Sequence, residues 1–421
     1  MTVMKRDCEY SVTRRNFQNY PRDWTVVKLD DLLERVRRPV DVLPDDEYRE
    51  IGIRSHGKGL FYKEPVRGRD LGNKAVFWIE DGCLIINIIF AWERAVGITT
   101  AREKGLIASH RFPMWRSRGD VDLQYLLSFF LTPLGKHLLE LASPGGAGRN
   151  RTLGQDEFNR IRVCIPSKIK EQRRIVQIIS TWDRAIELEE QLIAEIKQQK
   201  KWLLQNLLTG KKRLPGSTLN WQQKTLGDCC DGHGLYGINA PATKFSEQLP
   251  RYLRITDIDV DGKYIKKNNL CVDSKVSYNY KLNVNDIVFA RTGASVGKSY
   301  LYNVNDGELI YAGYLIKFRI NSQLADADFI RHVCNSKKYW NWVGVISARS
   351  GQPGINADEY ASFSFMCPPL PEQTAIAEIL STADHEIELH EKHLEELKKQ
   401  QKALLQLLLT GIVRVNVQEV S

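Results

Sequence analysis

The chain has 421 residues, 43% of them hydrophobic and 26% charged, with 60 Lys and Arg against 51 Asp and Glu. At about 150 residues per domain, this length excludes a lone small module and suggests two or three folded units. The ordinary balance excludes a disordered or collagen-like chain, and a surplus of +9 is compatible with an anionic partner without requiring one.

The first twenty residues, MTVMKRDCEYSVTRRNFQNY, lack the apolar stretch of an export signal, so the cytoplasm is the expected compartment. A first motif, Trp24-x4-Leu29-x-Asp31, opens a body that runs to Pro166. Its longest apolar run, Cys83–Ala91, falls far short of the ~20 residues needed to cross a bilayer and predicts a buried strand over Cys83–Phe90. A turn follows at Trp92–Gly97, then an amphipathic helix near Leu123–Leu141. The eight cysteines are scattered without a C-x-x-C pair, so neither a zinc ribbon nor a disulfide framework is expected.

After Pro166, residues Glu171–Gly210 form one long helical pattern, with apolar steps at Ile175, Ile179, Trp182, Ile186, Ile193, Ile196, Leu203 and Leu207, interrupted by Glu189 and Lys200. A polar link, Lys211–Asn220, leads to a second opening motif, Trp221-x4-Leu226-x-Asp228. The second body predicts strands at Tyr252–Ile258, Asp286–Ala290, Tyr300–Tyr302 and Tyr311–Ile320, and a helix near Asp328–Val343. Pro368, Pro369 and Pro371 then introduce Glu372–Gly411, which repeats Glu171–Gly210 without a gap at an offset of 201 residues. Its apolar steps are Ile376, Leu380, Ala383, Ile387, Leu394, Leu397, Leu404 and Leu408, and its interruptions are His390 and Gln401.

The chain is therefore written twice, as a body and a helix in each half. An a/d seam over about five heptads in each helix predicts a coiled coil, and antiparallel pairing is the natural geometry because the second body folds between the two. The shared interruptions suggest a register in which Glu189 faces Gln401 and Lys200 faces His390. At about 38 residues each helix is about 57 Å long, which caps the separation of the bodies. The expected fold is two mixed α/β (α+β) bodies with different interiors, joined by two long helices in an antiparallel coiled coil, an internal pseudo-two-fold repeat.

No motif supplies chemistry. Arg291–Ser299 ends in Gly-Lys-Ser after a strand, but Thr292 occupies the place where a phosphate loop needs its first glycine. His385 and His390 are five apart rather than four and lie on different helical faces. Glu195-Ile-Lys197 and Glu396-Leu-Lys398 have the spacing of some nuclease sites but read as surface charge on the repeated helices.

This arrangement, with Pro-Pro-Leu-Pro-Glu-Gln at 368–373 entering a helix closed by Leu-Leu-Thr-Gly, resembles the specificity (S) subunits of type I restriction-modification enzymes. Phe289–Lys298 and Phe90–Gly97 are similar to central segments of that family's target recognition domains. The resemblance implies target recognition domains at 20–166 and 218–367 and helical spacers at 171–210 and 372–411. It implies a non-catalytic reader of a bipartite, asymmetric site in double-stranded DNA, partnered by two methyltransferase (M) subunits and, through the complex, restriction (R) subunits. S-adenosylmethionine, ATP and Mg would belong to those partners, with no cofactor bound by this chain and no metal. Unlike bodies on like helices suit a reader of two different half-sites, whereas a homodimer reads a palindrome.

Candidate DNA-facing residues are those whose basic, amide or hydroxyl groups fall in loops. In the first body they are Asn87, Trp92, Arg94, Thr99, His110, Arg111, Arg116, Arg118, Arg149, Asn150 and Arg151. In the second they are Arg291, Thr292, Ser295, Lys298, Arg349, Ser350 and Gln352. The alternatives are a specificity subunit of a fused or type II-like system and a coiled-coil adaptor that binds no DNA.

Overall fold

A computed structural model describes residues 19–145, 151–266, 270–348 and 353–416. Two compact units divide the chain: residues 1–188 with 394–421, and residues 189–393. Each long helix is shared, its first half belonging to one unit and its second half to the other.

In unit one, β1 (Trp24–Lys28) leads to β2 (Leu33–Val36), β3 (Leu84–Ile86), β4 (Val96–Ile98) and β5 (Met114–Ser117). The last four form an antiparallel sheet in the order β2-β5-β3-β4. Three helices follow, α1 (Leu123–Leu131), α2 (Pro133–Leu141) and α3 (Gln155–Arg160), and then β6 (Arg162–Pro166), which returns to pair with β1, Trp24 opposite Pro166. The long helix α4 is Ile169–Leu207.

Unit two repeats this plan. β7 (Gln222–Thr225) pairs with β12 (Ser364–Cys367), and β8 (Leu235–Tyr236), β9 (Asp286–Ala290), β10 (Ser299–Leu301) and β11 (Leu315–Arg319) form a sheet in the order β8-β11-β9-β10. Helices α5 (Ala327–Val333), α6 (Lys337–Ile346) and α7 (Ala357–Ala361) take the places of α1 to α3, and α8 (Leu370–Leu409) is the second long helix. The different interiors expected from sequence thus share one scaffold. Their difference lies in the additions. Unit two carries a second four-stranded sheet (Ala242–Thr243, Cys271–Val272, Arg251–Leu253, Leu309–Tyr311), where the described residues of unit one form two-stranded ribbons such as Val76–Trp78 with Ile107–Ser109.

Local chemistry shortens several expected elements. The run from Cys83 stops as a strand at Ile86, because the Asn87 side chain accepts from Ile89 N at 3.1 Å and bends the backbone into a turn. The helix expected over Leu123–Leu141 breaks at Thr132, whose hydroxyl caps α2 by accepting from Gly135 N at 3.0 Å, with Pro133 at the first position. Ser336 does the same between α5 and α6. The strand expected over Tyr252–Ile258 ends at Leu253, where Asp257 takes bonds from Arg254 in a tight turn. Tyr311–Ile320 is two strands separated by a turn at Ala312–Tyr314.

Each core is completed by the ends of both long helices. In unit one, Trp115, Tyr125, Phe129, Phe130 and Phe158 pack with Ile175 and Ile179 from the start of α4 and Leu408 and Leu409 from the end of α8. In unit two, Phe289, Phe318, Phe329, Tyr339 and Phe363 pack with Ile376, Ala377 and Leu380 from the start of α8 and Leu207 and Leu208 from the end of α4. Each such buried side chain contributes roughly 1.5–3 kcal/mol. Gly210 and Gly411, at φ 69° and 70°, adopt the left-handed conformation that ends a helix and favours glycine.

The helices run antiparallel within each unit, but not in the register suggested by their interruptions. Glu189 accepts from His390 Nδ1 at 2.7 Å, Gln401 donates to Asp183 at 2.6 Å, and Lys200 bonds Asp384, six residues from the His390 it was expected to face. The helix ends fixed in the two cores set this register, and it brings opposite charges together. Glu189 and His390 are counterparts in the repeat, and so are the pairs Asp183–Gln401 and Asp384–Lys200. Along the seam Ile175, Ile179, Ile193, Ile196, Leu207, Ile376, Leu380, Ile387 and Leu408 are buried. Trp182, Ile186, Leu203, Leu394, Leu397 and Leu404 are half-buried.

The repeated Glu-Gln pair locks body to helix. Gln373 accepts from Asp326 N, the cap of α5, at 2.9 Å and donates to Pro368 O at 2.8 Å. Gln172 accepts from Asp122 N, the cap of α1, at 2.8 Å and donates to Pro166 O at 2.9 Å. The glutamates hold arginines that the repeat comparison stopped short of. Arg213 makes a two-bond fork with Glu372 at 2.8 Å, and Arg414 forks onto Glu171 at 2.9 and 3.1 Å. Each arginine follows the helix-ending Thr-Gly by three residues, a signal present in the sequence. Burial alone would raise the Glu372 carboxyl, but Arg213 and the Trp221 indole outweigh it and hold it below the usual range.

Candidate nucleic-acid interface

The hairpin between β3 and β4, residues 87–95, and its counterpart between β9 and β10, residues 290–298, close with the same backbone bonds: Asn87 N to Ala95 O at 2.9 Å, Ala290 N to Lys298 O at 2.8 Å. In unit two this segment connects two antiparallel strands through a single tight turn at Gly293–Ser295. A phosphate loop, by contrast, passes from a strand into a long helix.

Several residues named from sequence spend their polar groups inside the fold. Asn87 is buried and shapes its own turn, and Thr99 is buried with its hydroxyl donating to Glu80 O at 2.6 Å and accepting from Cys83 N at 3.0 Å. Arg94 has φ 62°, at the position where the second copy has Gly297 at φ 88°. Its guanidinium donates to Leu131 O at 3.0 Å, at the C-terminal end of α1, where the helix dipole favours a cation. Arg118 donates to Leu33 O at 3.1 Å, Arg116 lies 3.6 Å from Glu80, and Lys298 donates to Ile258 O at 2.8 Å.

Others converge on a common edge. In unit one, Arg151 lies 5.7 Å over the ring of Trp92, whose indole N–H donates to Ile89 O at 3.0 Å. Ile88 is held on one side by Arg111 and on the other by Leu153, through backbone bonds of 3.0 and 2.8 Å. His110 and Arg111 are exposed. In unit two, the Ile355 N–H to Arg291 O bond, 2.9 Å, repeats the Leu153 to Ile88 contact, so Arg291 occupies the place of Ile88. Its guanidinium stacks 4.9 Å over Tyr236, and its N–H bonds the carbonyl of exposed Tyr314 at 3.0 Å. Thr292 bridges to Gly354, and Ser295 is half-buried in the turn. Arg149, Asn150, Arg349, Ser350 and Gln352 lie outside the described residues.

Stacked arginine and tyrosine at one exposed edge combine positive charge with flat faces, which suits phosphates, base edges and bases. The sequence reading passed over Arg35 on the edge strand β2, Arg37 just beyond its end, and Tyr236 on the edge strand β8. The alternation Arg35-Val-Arg37, two residues after buried Leu33, was the available signal for the first pair. Among the described residues no helix is long and apolar enough to cross a membrane.

Comparison with known proteins agrees with the duplication. A family model described as the type I restriction modification DNA specificity domain matches twice, at residues 21–198 and 219–399. The type I restriction enzyme MjaVIII specificity subunit of Methanocaldococcus jannaschii is 22% identical over 414 residues, covering 94% of each chain. Among solved structures, the HsdS subunit from Thermoanaerobacter tengcongensis superposes with a TM-score of 0.52 at 18% identity, covering 94% of this chain and 98% of that one. A type I restriction-modification S subunit from M. genitalium gives 0.55 at 13% identity over 94% and 97%.

Proposed function

Since the chain belongs to the type I restriction-modification DNA specificity family, we propose that it is the non-catalytic reader of a type I complex, recognising a bipartite, asymmetric site in double-stranded DNA. Each unit reads one half-site through the edge formed by its hairpin and outer strand. The long helices set the gap between half-sites and offer docking faces to two methyltransferase subunits. Those partners bring S-adenosylmethionine, and restriction subunits joined through the complex bring ATP and Mg. The DNA it reads places its work in the cytoplasm.

The observation that carries this reading is one scaffold used twice with different side chains at the same edge. Ile88 in one unit is Arg291 in the other, and Arg37 is Tyr236, while the core and the Glu-Gln lock are kept. A structural adaptor has no need to vary an exposed edge while holding everything beneath it. Mapping N6-methyladenine at base resolution in the source genome, with and without the gene, tests the proposal. One bipartite motif should lose its methylation on deletion, and an unchanged set of methylated motifs would overturn the reading.

A further inference from the structure

Two arginines of unit one face a common space in which no carboxylate of the described residues neutralises them. Arg35 and Arg37 stand at alternate positions at the end of β2, and a cleft of about 210 Å³ opens beside them, lined also by Phe77, Ile88, His110 and Gln155. The Arg35 guanidinium lies 4.9 Å over Trp115 and that of Arg37 lies 5.1 Å over Phe77. Stacking holds each plane flat and leaves its N–H edge free to bond. Among the described residues neither has an acidic partner within 4 Å, whereas their neighbour Arg38 is paired with Glu80. Among the described residues, the side-chain bond of the pair runs from Arg35 to the neutral amide oxygen of Gln155. Burial and the nearby charge of Arg37 both lower the pKa of Arg35, the signature of a cation short of counter-charge.

Unit two fills the same place differently. Val36 pairs across the sheet with Met114 and Leu235 with Lys317 at the matching step, which sets Tyr236 in the place of Arg37. Arg35 reaches Gln155, the first residue of α3, and the Tyr236 hydroxyl accepts from the N–H of Ala357, the first residue of α7, at 3.3 Å. The same edge thus presents two arginines in the first unit and a tyrosine–arginine stack in the second.

We propose that the Arg35–Arg37 cleft is a DNA-contact subsite of unit one that binds a pair of hydrogen-bond acceptors, the O6/N7 edge of a guanine or two oxygens of one backbone phosphate. Both present adjacent acceptors that a flat guanidinium bonds in parallel. The inference rests on the DNA-reading role proposed above and adds where, and with which groups, the first unit makes contact.

The test uses the full chain in complex with its methyltransferase subunits and duplexes carrying the mapped motif or single-base changes in either half. Arg35→Gln and Arg37→Gln are the probes, with Arg38→Gln as a control outside the cleft. Arg37→Gln and Arg35→Lys cover the case in which Arg35→Gln, which loses its stack on Trp115, unfolds the unit. A base contact relaxes discrimination at one position of one half-site by about 10- to 100-fold, leaves the other half unchanged and is not restored by Arg35→Lys. A phosphate contact weakens all duplexes alike, lowers the salt slope by about 1, and is largely restored by Arg35→Lys. Affinity, discrimination and salt slope all within twofold of the parent would overturn the proposal while leaving the DNA-reading role intact. Failure of the parent complex to bind any bipartite duplex would overturn both.

Discussion

Asp183 and Asp384 stand at the same step of the repeat and meet different partners. Burial raises the pKa of Asp183, and the bond from Gln401 only partly offsets it. Burial acts on Asp384 in the same direction, but Lys200 and Arg331 outweigh it and hold its carboxyl below the usual range. The signs of linkage are therefore opposite. Asp384 contributes stability that is present above the unfolded carboxyl range and is lost as pH falls through its depressed pKa, whereas protonation of Asp183 relieves a penalty. Asp384→Asn should cost about 1–3 kcal/mol at pH 7 by leaving two cations facing an amide. Asp183→Asn, which keeps an acceptor for Gln401, should be neutral or slightly stabilising. Urea denaturation of both variants checks the contrast, and equal losses would contradict it. The sequence shows that the two aspartates are counterparts, but Arg331 has Leu127 near its place in the first half, and a partner reached through folding cannot be read from spacing along the chain.

At the scale of elements, the long helices were legible because an apolar period and a gapless repeat are properties of one contiguous segment. Their register was not, since it is set where the ends enter the two cores. The breaks at Thr132 and Ser336 were written in the sequence as hydroxyl caps, one of them before a proline, and the apolar periodicity carried straight across them. Gln373 is only 1% exposed and bonds the α5 cap, a proline carbonyl and the Cys367 thiol. Gln373→Ala should therefore destabilise unit two by about 2–3 kcal/mol, and Gln172→Ala unit one by a similar amount, because each strands buried backbone groups. Hydrogen exchange resolved by segment should show the loss confined to the unit concerned. Losses shared equally by both units would contradict the local lock. Adding one heptad to each long helix, at matched positions either side of Glu189 and His390, lengthens each by about 10.5 Å. Methylation mapping should then show a gap wider by about 3 base pairs with both half-sites unchanged. An unchanged gap would argue against the helices as spacers.

For the whole molecule, 421 residues resolve into two copies of one plan, and the modest surplus of +9 counts neither for nor against the proposed role. The duplication was visible in the sequence because helices, caps and the Glu-Gln pair repeat. The shared sheet was hidden, since its strands repeat in position and not in residue identity. The proposed reading edges were the least legible part. In unit one a single cleft takes Arg35, Phe77, His110 and Gln155 from four separate segments, and only the sheet brings them together. The central claim is that the two units read independently, each through its own edge. Its most direct measurement is a methylation map from a strain in which residues 24–166 are replaced by the corresponding body of a relative with a known motif. One half of the methylated motif should change to that of the donor, with the other half and the gap retained. A motif changed in both halves, or in neither while methylation persists, would contradict the claim.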